Sequence, residues 1–352
     1  MKYHYFPAIV QALLAAIFFG ASAPFAKLLL GQLEPVTLAA LLYLGSGFGA
    51  LAFNRLNLLG SATSEAPLTR AELGWLASAI IAGGIIGAIL QLVSLRSTPA
   101  ATASLLLNFE GVATTLIAAL VFKEAISRRT VLSILCVTAA SIILSWDGSG
   151  QWGISVGALG ILLACLFWGI DNNLTRNISA KNPLTIVIAK GLVAGSFSLL
   201  LTLLLGNRLP GIEIILGALF LGALSYGLSL ILFIRAMRGL GAARTSALFG
   251  TAPLIGVALS LAIFRDPLTP TFLIALLLMT VGTVILLNED HQHIHFHALT
   301  THEHRHRHDD AHHEHTHPTT ELQQAHSHLH THQPTEHQHA HMPDTDHRHT
   351  HL

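Results

Sequence analysis

The stretch that decides the fold is residues 100–124, AATASLLLNFEGVATTLIAALVFKE, because a similar stretch returns later in the chain. It aligns without a gap on residues 242–266, AARTSALFGTAPLIGVALSLAIFRD. A second pair aligns as well, with residues 12–20, ALLAAIFFG, matching residues 161–169, ILLACLFWG. One member of each pair lies in each half of the chain, which predicts two similar structural units.

The segments around these stretches predict helices that cross a lipid bilayer. The chain is 52% hydrophobic and 11% charged, and a bilayer core needs roughly 20 apolar residues per helix. Apolar runs predict ten helices, near residues 8–30, 36–53, 73–95, 99–122, 130–146, 153–171, 183–205, 212–234, 242–264 and 270–287. The predicted fold class is an all-α membrane protein with ten transmembrane helices in two inverted five-helix repeats, followed by a disordered tail.

Charge and histidine content divide the chain near residue 288. Residues 1–288 hold 16 Lys or Arg, nine Asp or Glu and a single histidine, His4. Residues 289–352 hold three Lys or Arg, ten Asp or Glu and 22 histidines. We therefore predict a first repeat over 1–146, a second over 147–288 and a histidine-rich tail over 289–352.

The number of helices in each repeat predicts how the two repeats are oriented. Five is an odd number, so the second repeat must enter the membrane from the side opposite to the first. Inverted repeats of this kind recur in secondary transporters, with the substrate site near the midplane. Cytoplasmic loops are enriched in Lys and Arg. With an N-terminus inside, eleven such residues fall on the cytoplasmic side and four on the other, so both termini are predicted to be cytoplasmic.

Short motifs in both repeats carry a resemblance to a known family. In the first repeat they are Phe18-Phe-Gly20, Lys27, Ala103-Ser-Leu-Leu-Leu107, Glu110 and Lys123-Glu124. In the second they are Phe167-Trp-Gly169, Ser246-Ala-Leu248, Pro253 and Arg265-Asp266. In order and spacing the chain resembles the drug/metabolite transporter superfamily, specifically its ten-helix EamA-type permeases.

The resemblance implies a permease driven by protons or another gradient, often an exporter of amino acids, metabolites or drugs, and a location in the bacterial inner membrane. Two positions depart from the family pattern. Gly111 stands where the family commonly has proline, although the second repeat keeps Pro253. Asp266 replaces the glutamate found at Glu124 of the first repeat.

Charged and polar residues inside the predicted spans are candidates for the transport pathway. A charge at membrane depth costs about 2.5–3.5 kcal/mol on insertion scales, so it usually faces a partner or a cavity. Glu110 and Lys190 either pair with each other, or one meets the substrate while the other balances its charge; Lys190 could instead reach the headgroups. The pathway candidates are Glu110, Lys190, Asn108, Asp171, Asn172 and Gln91.

The remaining candidates have alternative roles. Asp171 and Asn172 stand at the predicted end of the sixth helix, where they either line a vestibule or form an ordinary solvated helix end. Asn108 and Gln91 either contact substrate or bond a neighbouring helix.

The tail predicts metal binding. It has too little apolar surface to form a core, so we expect it to be disordered. Neutral imidazoles in His-x-His patterns suit Zn, Ni and Co. The candidate metal ligands are His291, His293, His295, His297, His302, His304, His306, His308, His312, His313, His315 and His317.

These observations predict a secondary-active inner-membrane permease that exports a small metabolite or amino acid, with a metal-responsive cytoplasmic tail. A divalent Ni, Co or Zn exporter is the alternative, and a membrane-anchored metal sensor or storage protein is an alternative of another class. The spans contain no recognisable nucleophile, cofactor loop or metal constellation, so we predict that the protein is not an enzyme and requires no cofactor. The expected partners are the lipid bilayer, a small-molecule substrate and metal ions, with no nucleic acid and with a homodimer left open.

Overall fold

The computed structural model describes the helical bundle and parts of the tail. The described residues are 6–56, 68–122, 126–146, 155–178, 181–240, 245, 248–287, 292–297, 300–306, 326–332 and 335–340. For the four tail ranges only the backbone is described.

Eight helical segments of the described chain are long and apolar enough to cross a membrane. They are Pro7–Leu29, Pro35–Arg55, Arg70–Ser97, Ala100–Phe122, Arg128–Ser145, Val156–Arg176, Pro183–Leu204 and Ile212–Ala236. Two shorter apolar helices, Ala252–Phe264 and Pro270–Ile285, stand at the predicted ninth and tenth spans. Residues 241–244 and 246–247, near the predicted start of the ninth span, lie outside the described residues. The helical bundle is confirmed, whereas the count of ten full spans is not.

The helices of the first half correspond to the first five predicted spans. They are α1 (Phe6–Gly20), α2 (Ser22–Leu29), α3 (Pro35–Arg55), α4 (Leu73–Ala79), α5 (Ala88–Ser97), α6 (Ala100–Leu106), α7 (Phe109–Phe122) and α8 (Arg128–Ser145). A 3-10 turn, Arg70–Glu72, precedes α4, and a π-helical segment, Ile80–Gly87, joins α4 to α5. The first, third and fourth spans are thus interrupted helices rather than uniform ones.

The helices of the second half follow the same order. They are α9 (Val156–Arg176), α10 (Pro183–Leu204), α11 (Ile212–Gly222), α12 (Ser229–Leu240), α13 (Ala252–Phe264) and α14 (Pro270–Leu287). A π-helical segment, Ala223–Leu228, joins α11 to α12. The alignment that sets residue 100 against residue 242 also sets the two π-helical segments against each other. Such segments are rare and occur frequently at functional sites.

The second span of each half begins in the same way. Pro35 opens α3 after Glu34, and Pro183 opens α10 after Asn182. Proline suits the first helical position, because its missing N–H would have no partner there and its φ is already helical. The two prolines therefore give a second alignment of the halves, in which residue 35 corresponds to residue 183.

The core lies where helices of the two halves meet. The packed pairs include α3 with α10, α8 with α14, α1 with α12, α7 with α9, and α6 with α13. Glycine lets backbones approach closely, because a Cβ on Gly191 of α10 would collide with the backbone of Gly47 on α3. The two five-helix repeats and their boundaries at residues 146 and 288 stay predictions.

Large apolar side chains also cover the outside of the bundle. Leu120 and Val156 are 80% and 84% exposed. Apolar surface on this scale is not tolerated in water but matches the hydrocarbon of a bilayer. The outer surface therefore agrees with a membrane protein.

The tail contains four strands among its described residues. They are β1 (Gln292–His297), β2 (Thr300–His306), β3 (His326–His332) and β4 (Thr335–Ala340). β1 pairs with β4 and β2 with β3, both antiparallel. The prediction of a tail disordered throughout is therefore not confirmed; alternation with period two, as in His-x-His, is compatible with a strand.

Candidate functional site

Glu110 lies at the start of a helix, because the predicted fourth span is broken just before it. α6 ends at Leu106 and α7 begins at Phe109. Glu110 is thus in the first turn of α7, where the helix dipole favours a negative charge. The sequence predicts an unbroken helix here, although Asn108 and Gly111, both poor helix formers, were a signal of the break.

The Glu110 carboxylate is bound to α9 through an amide. Its Oε1 accepts a hydrogen bond from Nδ2 of Asn172 at 2.8 Å. The same Nδ2 lies 3.1 Å from Oγ1 of Thr114, whose hydroxyl donates to the backbone oxygen of Glu110 at 2.9 Å. We call Glu110, Thr114 and Asn172 the Glu110 network. The group that holds this carboxylate is therefore neutral.

Lys190 of α10 pairs with Asp171 of α9. The Lys190 Nζ lies 2.6 Å from Asp171 Oδ1 and donates to Thr175 Oγ1 at 3.0 Å. The Thr175 hydroxyl donates to the same Asp171 oxygen at 2.9 Å. The two charged side chains are only 15% and 12% exposed, which makes an opposite charge necessary. We call Lys190 and Asp171 the Lys190 pair.

This arrangement corrects the first alternative for Glu110 and Lys190, a direct pair between them. Lys190 pairs instead with Asp171, which precedes the amide partner of Glu110 in the chain. The ammonium therefore has a partner within the bundle. On α9, Asp171 presents its carboxylate to Lys190, while the next residue, Asn172, presents its amide to Glu110.

The end of α9 also differs from the prediction. The helix continues to Arg176, beyond the predicted end at residue 171. Asp171 and Asn173 are 8% and 4% exposed. The Asn173 Nδ2 donates to the backbone oxygens of Thr114 and Gly169 at 3.0 and 2.8 Å. The interpretation as a solvated helix end is wrong for Asp171, because these polar groups find partners within the bundle.

Asn108 and Gln91 lie on other elements. The Asn108 Nδ2 donates to Oγ1 of Thr283 on α14 at 3.1 Å, which is the contact with a neighbouring helix that the sequence left open. Gln91 is on α5 and is 2% exposed. The structure thus brings Glu110, Asp171, Asn172 and Lys190 together on α7, α9 and α10. Asn108 lies between α6 and α7 and contacts α14.

The first π-helical segment touches the same region. The Gly83 backbone oxygen accepts hydrogen bonds from Trp168 Nε1 at 3.0 Å and from the Tyr43 hydroxyl at 3.3 Å. A Cβ at Gly83 would collide with the Asp171 carboxylate. Gly83 therefore lets the third span approach the Lys190 pair closely.

Lys27 closes the end of the third span. Its Nζ donates to the backbone oxygens of Leu95, Arg96 and Thr98 at 2.6, 2.8 and 3.0 Å. The last carbonyls of a helix have no helical partner, and a cation satisfies them well. Lys27 is therefore a cap of α5, which its position in the family motif did not indicate.

Five aromatic rings pack against one another in the bundle. Centroid distances are 5.7 Å for Tyr43–Tyr226, 6.3 Å for Phe19–Tyr226, 5.3 Å for Phe19–Phe249 and 4.8 Å for Phe233–Phe249. All five rings are half-buried. We call them the aromatic row, and the sequence did not single it out because its members lie far apart in the chain.

Comparison with known proteins assigns the family. The model of the EamA-like transporter family matches residues 6–146 and 155–288. The chain belongs to this family. The resemblance seen in the repeated motifs is thereby confirmed, and this EamA-like protein is a membrane transporter.

A relative and a solved structure agree with the assignment. The EamA-like chain is 30% identical to an uncharacterized transporter of Methanothermobacter thermautotrophicus over 294 residues, which cover 79% of this chain and 85% of that protein. A crystal structure whose description names no activity shares 18% identity with a TM-score of 0.59, over 79% of this chain and 94% of that chain. At that identity the similarity shows a common fold.

The predicted metal ligands lie apart from the bundle site. Among the side chains that the structure describes, no three His, Cys, Asp or Glu residues come together as a metal site. His293, His295, His297, His302, His304 and His306 fall on β1 and β2. His291, His308, His312, His313, His315 and His317 lie outside the described residues. Metal binding by the tail stays a prediction.

Proposed function

We propose that this EamA-like transporter is a secondary-active permease that exports a small metabolite or amino acid. The observation that supports it is Glu110, a half-buried carboxylate at the start of a broken helix. Discontinuous helices whose ends point at a ligand are a recurring design of secondary transporters. A membrane-embedded acid held by a neutral amide can exchange that contact for a proton or a ligand.

We further propose that the protein resides in a bacterial inner membrane with both termini in the cytoplasm. The distribution of Lys and Arg over the loops supports this orientation. It places the Lys190 pair toward the cytoplasmic half of the bundle and the Lys27 cap at the opposite side. The tail then lies in the cytoplasm, where it would meet intracellular metal.

Transport in everted membrane vesicles tests the function. Candidate solutes are offered under an imposed proton gradient to the native chain, to Glu110→Gln and to the control Glu213→Gln. Glu213 is exposed at the start of α11, so the control makes the same chemical change outside the bundle. We expect Glu110→Gln to lose gradient-driven uptake and Glu213→Gln to keep it. If no solute moves under any gradient, the chain is not the proposed permease.

The tail supports a second proposal, that Zn, Ni or Co binds there and adjusts transport. Histidines supply 22 of its residues, and the strand register sets His293 opposite His339 and His304 opposite His328. Opposite positions in an antiparallel pair are close, with Cβ atoms about 4.5–5.5 Å apart. Vesicles with the full chain and with a chain ending at residue 288 are compared with and without each metal. Equal responses of both chains would exclude the regulatory role.

Two alternatives are separated by the same variants. If the metal itself is exported, vesicles accumulate Ni, Co or Zn, and Glu110→Gln abolishes the accumulation. If the protein is a metal sensor or store anchored by its bundle, Glu110→Gln leaves metal tolerance intact and removal of the tail abolishes it. The permease proposal expects the opposite dependence on Glu110.

A further inference from the structure

The two strand pairs of the tail share one register. We call β1 with β4 the first ladder and β2 with β3 the second ladder. The last pair of the first ladder is His297 with Thr335, and the first pair of the second is Thr300 with His332. The residue number thus changes by three on both sides, so β1 and β2 are matched with β4 and β3 in one antiparallel order.

Histidine is paired with histidine in both ladders. The first ladder has two such pairs, His293 with His339 and His295 with His337. The second ladder has three, which are His302 with His330, His304 with His328 and His306 with His326. In each strand the paired histidines stand at every second position, and such positions share one face of a ladder. Each ladder therefore collects several histidine positions on one face.

The spacing of these positions suits a metal ion. Opposite positions in an antiparallel ladder have Cβ atoms about 4.5–5.5 Å apart, and two residues along a strand span about 6.4–6.8 Å. A Zn–N bond of about 2.0–2.1 Å beyond an imidazole ring is long enough to reach an ion above the centre of four such positions. A donor set made only of nitrogen suits Zn, Ni and related ions, whereas Mg and Ca prefer oxygen.

The two ladders are separate sets of ligands. The pairs at their adjoining ends, His297 with Thr335 and Thr300 with His332, contain one histidine each. An ion holds all of its ligand atoms at about 2 Å, so its donors come from neighbouring pairs of one ladder. Two neighbouring histidine pairs supply four imidazoles, which is the number of ligands in a closed tetrahedral site.

We infer that each ladder is a separate metal site, and that the first binds one divalent ion of the Zn, Ni and Co group through His293, His295, His337 and His339. Two of these four ligands lie beyond residue 317, where the candidates from the sequence end. The inference rests on the proposal that the tail binds metal and adjusts transport. It deepens that proposal by replacing a diffuse set of histidines with two defined sites.

Matched double variants test the assignment. Each removes one His-x-His unit: His293→Gln with His295→Gln, His337→Gln with His339→Gln, and the control His347→Gln with His349→Gln. The control unit has the same spacing but belongs to neither ladder. The full chain, in lipid nanodiscs whose scaffold carries no histidine tag, is dialysed against Zn²⁺ to count the bound ions. We expect the two ladder variants each to lose one tightly bound ion, since two remaining imidazoles bind at least about tenfold more weakly, and the control to lose none.

The combination of the two ladder variants gives the sharper result. If β1 and β4 supply one site, the fourfold variant loses no more tightly bound ions than either double variant does. The second ladder still binds its metal in that variant, and adding His328→Gln with His330→Gln removes it. Equal losses in all three double variants, or losses that add up in the fourfold variant, would overturn the inference, because histidines of a diffuse tail act independently.

The outcomes separate this inference from the regulatory proposal. If the ladders bind metal as expected but vesicle transport is the same with and without metal, the regulatory proposal fails and the two sites stand. If transport responds to metal through the tail while the ladder variants bind Zn²⁺ as the native chain does, the regulatory proposal stands and the two-site assignment fails.

Discussion

The side of the bundle that carries Glu110 and the side that aligns with it are built on the same backbone plan but differ in chemistry. Both halves have a π-helical segment in the third span and a proline at the start of the second. Yet Glu110, Asp171 and Lys190 align with an alanine, a serine and a leucine. The comparison teaches that duplication supplied the scaffold, whereas the site depends on side chains present in only one copy.

The largest effect is expected where the comparison sets Lys190 against Leu42. Lys190→Met leaves Asp171 buried without its cation, which costs about 3–5 kcal/mol of unfolding free energy. Leu42→Met, the same new side chain at the aligned position, costs less than about 1.5 kcal/mol because the volume is nearly conserved. Chemical unfolding of the protein in detergent, followed by tryptophan fluorescence, measures both.

A double substitution sharpens this first prediction. Lys190→Met combined with Asp171→Leu removes both charges, so it should be more stable than Lys190→Met alone. A double variant as unstable as the single one would show that the pair is not the reason for the loss.

A middle-sized effect is expected at Gly83, whose aligned residue is Ser225. Serine already carries a Cβ, whereas a Cβ at Gly83 would collide with Asp171. Gly83→Ala should therefore cost about 1–3 kcal/mol, the usual range for overpacking. Thermal unfolding in the same detergent measures it.

Gly111 provides the matched control for Gly83. A Cβ there would meet nothing within 4 Å, and alanine is the better helix former by about 0.5–1 kcal/mol. Gly111→Ala is expected to stabilise the protein slightly. If both glycine variants changed stability alike, the close approach of the third span to Asp171 would not be the cause.

The smallest effect is expected at Asn108, which aligns with Gly250 and binds Thr283. Hydrogen bonds between membrane helices contribute about 0.6 kcal/mol on average. A double-mutant cycle with Asn108→Ala and Thr283→Val, measured by chemical unfolding, should give a coupling energy of this size. A coupling energy of zero would mean that the two side chains do not stabilise the contact between α14 and the break that separates α6 from α7.

Much of the site was visible in the sequence, and the rest was not for identifiable reasons. Glu110 and Lys190 stand out because charge is rare in apolar spans, and both lie in the structure's polar cluster. The sequence could not show which residue pairs with Lys190, because α9 offers several polar side chains in a row. The helix break before Glu110 was weakly signalled by Asn108 and Gly111, but poor helix formers often stay helical in membranes.

The sequence by itself determined the membrane bundle, the internal similarity and the family, because apolar run length and repeated motifs are local properties of the chain. Only the tertiary structure showed which charged side chains meet, why residue 83 has to be a glycine and which rings form the aromatic row. Those features join residues from helices far apart in sequence, such as Gly83 with Asp171 and Tyr43 with Tyr226. Packing of the two halves brings these residues together. Of the two aligned sets of positions, only the set with Glu110, Asp171 and Lys190 forms a polar site.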